Sequence, residues 1–294
     1  MFIDAHLHTV IRRGIPHPGS SENFATPEEL IAMMDATGVD KGILLPLTTP
    51  ECGYQCSTNE DILEVVGRYP DRFHAFCDVD PRAGRNSATA DLSCQLKYYR
   101  QRGCLGIGEV TANLPIGDPL VWNLFHYAEL CNMPLIFHLA PYRYNCYGLI
   151  DDLGLPGLEA ALQAFPKLAF IGHSPPFWAE ISSDVTLENR NAYPGGPVRP
   201  GGTIPRLMAT YPNLWCGWDA ASGYNALTRD PEFGWNFMEQ FNERILFGTD
   251  ICAPSNKHLH AAWLRQSVAD GKISRETFEN ISWRNANRLF KLGL

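Results

Sequence analysis

Apolar residues in this chain gather into short blocks rather than long stripes. Eight stand out: FIDAHLH (2–8), GILLPL (42–47), FHAFCDVD (73–80), CLGIGEV (104–110), PLIFHLA (134–140), LAFIGHS (168–174), LWCGWD (214–219) and ILFGTD (245–250). Each is short and apolar on both faces, as strands of a parallel sheet covered by helices are. Between the blocks, a polar or Gly/Pro-rich break is followed by a helical pattern. Thr26-Pro27-Glu28-Glu29 supplies an N-cap, a proline at the first helical position and a capping-box glutamate ahead of LIAMMDATG. Thr58 opens TNEDILEVVGRY and Asp118-Pro119 opens DPLVWNLFHYAEL in the same style. Tyr69-Pro70 and Phe165-Pro166 close helical stretches, because proline disfavours helical backbone in the residue before it. SRETFENISWRNANRLFKL reads as the last outer helix.

Eight strand-then-helix units in order predict an α/β fold, a (β/α)8 TIM barrel, as a single domain over residues 1–294. A doubly wound sheet would place a Gly-rich phosphate turn after an early strand, and GIGE does not satisfy G-x-G-x-x-G. The connection from Ser174 to Leu214, the β6–α6 loop of such a barrel, is long, with only its end patterned as helix. Loops of that size in a compact domain are usually lids or binding segments.

Composition narrows the function. The 45% hydrophobic content suffices for a sizeable core, and a net charge of −8 argues against nucleic acid or an anionic membrane as main partner. No apolar run approaches the roughly 18–20 residues of a membrane helix. The nine cysteines include no C-x-x-C pair and no secretory leader precedes them, so reduced thiols in a cytoplasmic protein are expected. Cys52 and Cys56 have the spacing of a metal clip but lack a second thiolate pair nearby. The apolar content of FGWNFMEQF suggests a homodimer.

In barrels of this kind the chemistry sits at the C-terminal ends of the strands. Those ends carry His6 and His8 (first), Glu109 (fourth), His138 (fifth), His173 (sixth) and Asp250 (eighth). One histidine ending a strand is ordinarily a hydrogen-bonded core residue, and a strand-end aspartate is often a helix cap. Six such groups among apolar and glycine neighbours would each need a buried partner of its own. Together they suit a divalent cation: Zn2+ first, with Mn2+, Fe2+ or Co2+ as alternatives. Water on such an ion has a pKa near 7, which makes hydroxide available at neutral pH. His17, His74, His126, His258 and His260 fall in loops, strand starts or helices and keep the structural reading.

The ordered set, with IGHSPPFW, YPNLWCGWDAASGYNALTRDPEF and ILFGTDICAP, resembles the amidohydrolase superfamily. Within it, the chain is similar to the amidohydrolase-related branch that also contains aminocarboxymuconate semialdehyde decarboxylase. The resemblance runs from Asp4 to the final helix. It implies His6, His8, His138 and Asp250 as metal ligands, and His173 as a second-metal ligand or catalytic acid/base. Glu109 departs from the decarboxylase pattern. Its G-x-G-E setting resembles the metal-dependent deoxyribonuclease-like branch, where the glutamate bridges two ions. Either one ion or two therefore fit the sequence.

Hydrolysis of an ester, lactone or amide is the leading expectation, with Asp250 as proton acceptor and His173 assisting. Nonoxidative decarboxylation of a small unsaturated or aromatic acid uses the same ligands and is the alternative. A non-catalytic binding protein would not need an open metal, and the acidic balance disfavours a nucleic-acid substrate. Arg143, Tyr144, Phe177, Trp178, Arg190, Trp218, Asp219, Tyr224, Asn225 and Arg229 are candidate contacts to a small carboxylated or ring-bearing substrate. Asp4, two residues before His6, is expected to share its strand face and orient an imidazole.

Overall fold

The computed structural model describes residues 1–16, 21–53 and 57–294. The Cys52–Cys56 clip and the placing of His17 depend on residues outside those described. All eight apolar blocks form strands: β1 (Ile3–Leu7), β2 (Lys41–Leu44), β3 (Phe73–Cys77), β4 (Cys104–Val110), β5 (Leu135–Ala140), β7 (Phe170–His173), β8 (Leu214–Trp218) and β9 (Ile245–Phe247). A short strand, β6 (Leu149–Ile150), pairs with the end of β5 and lies off the main sheet. The main sheet runs β1-β2-β3-β4-β5-β7-β8-β9, with every pair parallel. Beyond the end of β9, Asp250 N–H donates to His6 O at 2.9 Å and His8 N–H to Ile251 O at 2.9 Å. These bonds bring the two edges together at the C-terminal rim and nearly close a single TIM barrel.

The surrounding helices are α1 (Pro27–Thr37), α2 (Asn59–Arg68), α3 (Ser93–Gln101), α4 (Pro119–Leu130), α5 (Pro156–Ala164), α6 (Pro175–Ala179), α7 (Thr203–Thr210), α8 (Ala220–Thr228), α9 (Pro231–Phe241), α10 (His260–Ala269), α11 (Arg275–Glu279) and α12 (Asn285–Phe290). The caps read from sequence are present. Thr26 accepts from Glu29 N–H while Glu29 accepts from Thr26 N–H, and Thr58 and Asp61 make the same reciprocal pair. Among the described residues no helix is long and apolar enough to cross a membrane.

Three elements depart from expectation. The long loop begins with a short helix, α6, directly after β7. The terminal segment is not one outer helix: α11 passes through a π-helical turn at Asn280–Arg284 into α12. Ala286 and Phe290 of α12 join Ile3, Ala5, Ile43, Leu45, Phe76, Ile136, Ile171, Trp215 and Leu246 in the barrel interior, closing the end opposite the polar rim. Finally, Phe237, Met238 and Phe241 of α9 are buried in the core and Trp235 stacks on Trp263. The apolar content behind the homodimer expectation is thus largely packed within the chain.

Candidate metal centre

β1 carries the first two imidazoles, and its register shifts between Asp4 and Leu7. The irregularity breaks strict alternation: Ile3 and Ala5 face the interior, yet so do His6 and His8 further along. Asp4 consequently reaches no imidazole. It accepts from His6 N–H at 3.0 Å, Thr249 N–H at 3.1 Å and the Thr249 hydroxyl at 2.6 Å, tying the first strand to the segment after the last.

Asp219, just past β8, does what had been expected of Asp4. One carboxylate oxygen accepts from His6 Nδ1 at 2.9 Å and the other from His173 Nδ1 at 2.5 Å. Burial opposes ionisation of Asp219, but His173 and His6 overcome it and hold the group below the usual carboxylate range. As an anion it only accepts, so both Nδ1 atoms donate to it, which directs both Nε2 atoms away from Asp219 and towards Glu109. Leu45 O fixes His8 likewise, accepting from Nδ1 at 2.9 Å. His6 Nε2 and His8 Nε2 lie 3.0 Å apart, close enough to ligate one cation together.

Glu109 organises the remainder. Gly108 before it has φ 131°, and a Cβ there would lie 2.5 Å from Ile136 O, so this approach to β5 requires glycine. Oε2 of Glu109 stands 3.6 Å from His6 Nε2 and 3.4 Å from His8 Nε2. Asp250 Oδ1 lies 3.5 and 3.4 Å from the same two nitrogens. Ligands at tetrahedral zinc distances are separated by about 3.3 Å, so these donors have the spacing of one coordination shell. Oε1 of Glu109 faces a second group, 2.8 Å from His138 Nδ1 and 2.9 Å from His173 Nε2, with those nitrogens 3.0 Å apart. His6, His8 and Asp250, and His6, Glu109 and His173, each form a set of donors able to hold a metal ion.

The electrostatics agree. Burial works against the charged form of each group. His138 and His173 nevertheless hold Glu109 well below its usual range, while Asp219 and Glu109 lift His173 to about 10. Asp250 and Asp219 raise His6 in the same way, whereas burial prevails at His138 and lowers it. Two buried carboxylates, Glu109 and Asp219, and the half-buried Asp250 draw positive charge to this point, which divalent cations can supply.

His138, His173 and Asp250 also line a cavity of about 720 Å3 opening at the rim. Its other walls include Glu51, Tyr142, Asn145, Tyr147, Asn191, Tyr193 and Ser222. Tyr147 lies against His138 with ring centroids 4.6 Å apart.

The family model described as Amidohydrolase matches residues 3–292. The chain belongs to the amidohydrolase family. Among curated proteins none matches this amidohydrolase. Its barrel is similar to a TIM-barrel protein from Bordetella bronchiseptica at 17% identity and TM-score 0.66, covering 99% of this chain and 98% of that one. A probable 2-pyrone-4,6-dicarboxylic acid hydrolase from Acinetobacter baumannii has TM-score 0.60 at 13% identity, covering 99% of each chain. The 2,6-dihydroxybenzoate decarboxylase from Rhizobium has TM-score 0.60 at 18% identity, covering 100% of this chain and 99% of that one. At these identities the likeness shows the shared fold.

The six strand-end groups expected to act together are together in this amidohydrolase. The expected substrate contacts lie elsewhere. Trp178 and Trp218 are packed in the core, their indole N–H groups bonded to Gly217 O and Gly223 O. Phe177 and Arg190 are buried, and Arg190 donates to Asp151 O. Asp219 lies behind the imidazoles, and Tyr224 packs on His260. Arg143 sits over the exposed Tyr144 ring, outside the residues lining the cavity. Asn225 and Arg229 border a small adjoining void of about 10 Å3. The cavity walls instead use tyrosine and asparagine from the same loops. Sequence offered little signal for choosing Tyr142, Tyr147 or Tyr193 over their aromatic neighbours.

Proposed function

We propose that this protein is a metal-dependent hydrolase that cleaves a carbonyl bond (ester, lactone or amide) of a small ring-bearing molecule. The observation carrying this reading is the division of Glu109: one carboxylate oxygen belongs to the His6–His8–Asp250 group, the other to His138 and His173. Such a division suits a bridging ligand between two cations. Divalent cations held there would polarise a carbonyl and activate water, with zinc the first candidate.

The chain's own groups then have distinct tasks. Asp250 both faces the His6–His8 pair and lines the cavity, so its carboxylate can accept a proton from the attacking water and return it to the leaving group. His173 has both nitrogens committed, to Asp219 on one side and to Glu109 and His138 on the other, which favours a ligand role over acid/base work. Asp219 fixes the imidazoles, and the tyrosine walls receive an aromatic or unsaturated ring. Aryl esters, aryl lactones and aryl carboxylic acids incubated with the metal-replete protein in H2 18O test this. Label in the carboxylate product of an ester or lactone is expected. Release of CO2 from an acid without label incorporation would instead support the decarboxylase alternative.

A further inference from the structure

Four loops at the polar rim are tied together behind one wall of the cavity. Asn113, in the loop after β4, is only 9% exposed. Its Nδ2 donates to Tyr142 O and Gly148 O, both at 3.2 Å, and its Oδ1 accepts from Tyr144 N–H at 2.7 Å. Two carbonyls and one N–H fit only this orientation of the amide and use both of its hydrogens. The Asn113 N–H donates to Glu51 Oε1 at 3.3 Å, and Arg82, from the loop after β3, grips both Glu51 oxygens at 2.9 and 2.8 Å. The clamped stretch, residues 142–148, has backbone that calls for restraint. Tyr144 and Asn145 are both left-handed, with φ of 69° and 55°, a region that tyrosine in particular rarely adopts. Gly148 N–H donates to Thr111 O at 2.6 Å, and a Cβ on Gly148 would lie 2.8 Å from His138 Cδ2, so the stretch returns close against that imidazole. Tyr142, Asn145 and Tyr147 from this stretch line the cavity, and the Tyr147 ring rests on His138.

We propose that Asn113 is the positioning residue for the substrate's ring. It lies outside the residues lining the cavity and acts through the backbone it holds. That backbone sets Tyr142 and Tyr147 as an aromatic wall beside His138, where a ring can pack while its reacting group reaches the metal centre. A wall fixed before binding needs no ordering when the substrate arrives, so the effect falls on affinity for the ring. An amide is the group for this task, because a carboxylate could accept from Tyr144 N–H but could not donate to the two carbonyls. The inference rests on the ring-bearing substrate of the proposed function, and not on whether that substrate is hydrolysed or decarboxylated.

Calorimetric titration of the metal-replete protein with acetohydroxamate and benzohydroxamate tests the clamp. Both probes bind cations through the same group and differ only in the ring. The wild type is expected to bind benzohydroxamate about tenfold more tightly, from the apolar area its ring buries. Asn113→Asp, which keeps the bond from Tyr144 N–H and loses those to Tyr142 O and Gly148 O, should cut that advantage to about twofold. Asn113→Ala, which loses all three bonds, should remove it. Acetohydroxamate affinity and metal ions per chain should stay at wild-type values in both variants, and either variant decides alone if the other fails to fold. An undiminished ring advantage in the variants would overturn the clamp and leave the ring-bearing substrate standing. Parallel loss of affinity for both probes, or failure of both variants to fold, would make Asn113 a structural residue and overturn the proposal. Equal binding of the two probes by the wild type would overturn the ring-bearing reading and the clamp with it.

Discussion

Asp219 holds His6 and His173 through Nδ1, directing both Nε2 atoms towards Glu109. Asp219→Asn would turn an amide N–H2 towards one imidazole N–H, forcing that ring into its other tautomer. Metal affinity is expected to fall about 10–100-fold, measured by chelator competition. Affinity equal to wild type would mean that Asp219 does not set the imidazoles. Its role was hidden in sequence because its partners lie 213 and 46 residues away. The ligands themselves were legible because strand ends in a barrel share one rim, so order along the chain becomes proximity. Asp4 misled for the opposite reason: alternation along β1 is a local rule, and the register shift there breaks it.

At the scale of elements, the barrel needs a seal at the end opposite its chemistry, and α12 supplies it. Phe290 is 3% exposed and meets Phe76 of β3 edge-on, with centroids 5.2 Å apart. Phe290→Ala should cost about 3–5 kcal/mol, read as a lowered denaturant midpoint, because the surrounding strands cannot collapse into the space. A cost below about 1 kcal/mol would show that the plug is dispensable. The apolar spacing of this segment suits a helix lying on the outside of the barrel equally well, so sequence alone did not reveal the seal. β6 escaped notice because two residues carry no periodicity, and α6 because its prolines resemble loop punctuation. The eight main strands were clear, since burial on both faces makes each a dense apolar block.

At the scale of the whole molecule, a buried acid beyond the end of β3 gives stability a pH dependence. Asp78, after β3, is buried. Its Oδ2 accepts from Thr48 N–H and the Thr48 hydroxyl, while Oδ1 has no partner among the described residues. Burial lifts its pKa from 3.8 to about 7 against those bonds, with Asp80 and Glu109 adding to the rise. A folded value above the unfolded one makes this contribution to stability complete below 3.8, and it is lost as pH rises through about 7. Asp78→Asn, which keeps an acceptor for Thr48 and carries no charge, should raise the thermal midpoint by a few degrees at pH 8 and not at pH 4. An equal shift at both values would remove the titration from the account.

The central claim is that one glutamate oxygen serves each of two cation sites, and counting metal ions per chain tests it most directly. Elemental analysis of the purified protein should give two divalent ions per chain. In Glu109→Gln, which loses the bridging charge, the count should fall to one, retained by His6, His8 and Asp250. One ion per chain in the wild type, unchanged in Glu109→Gln, would contradict the bridged centre.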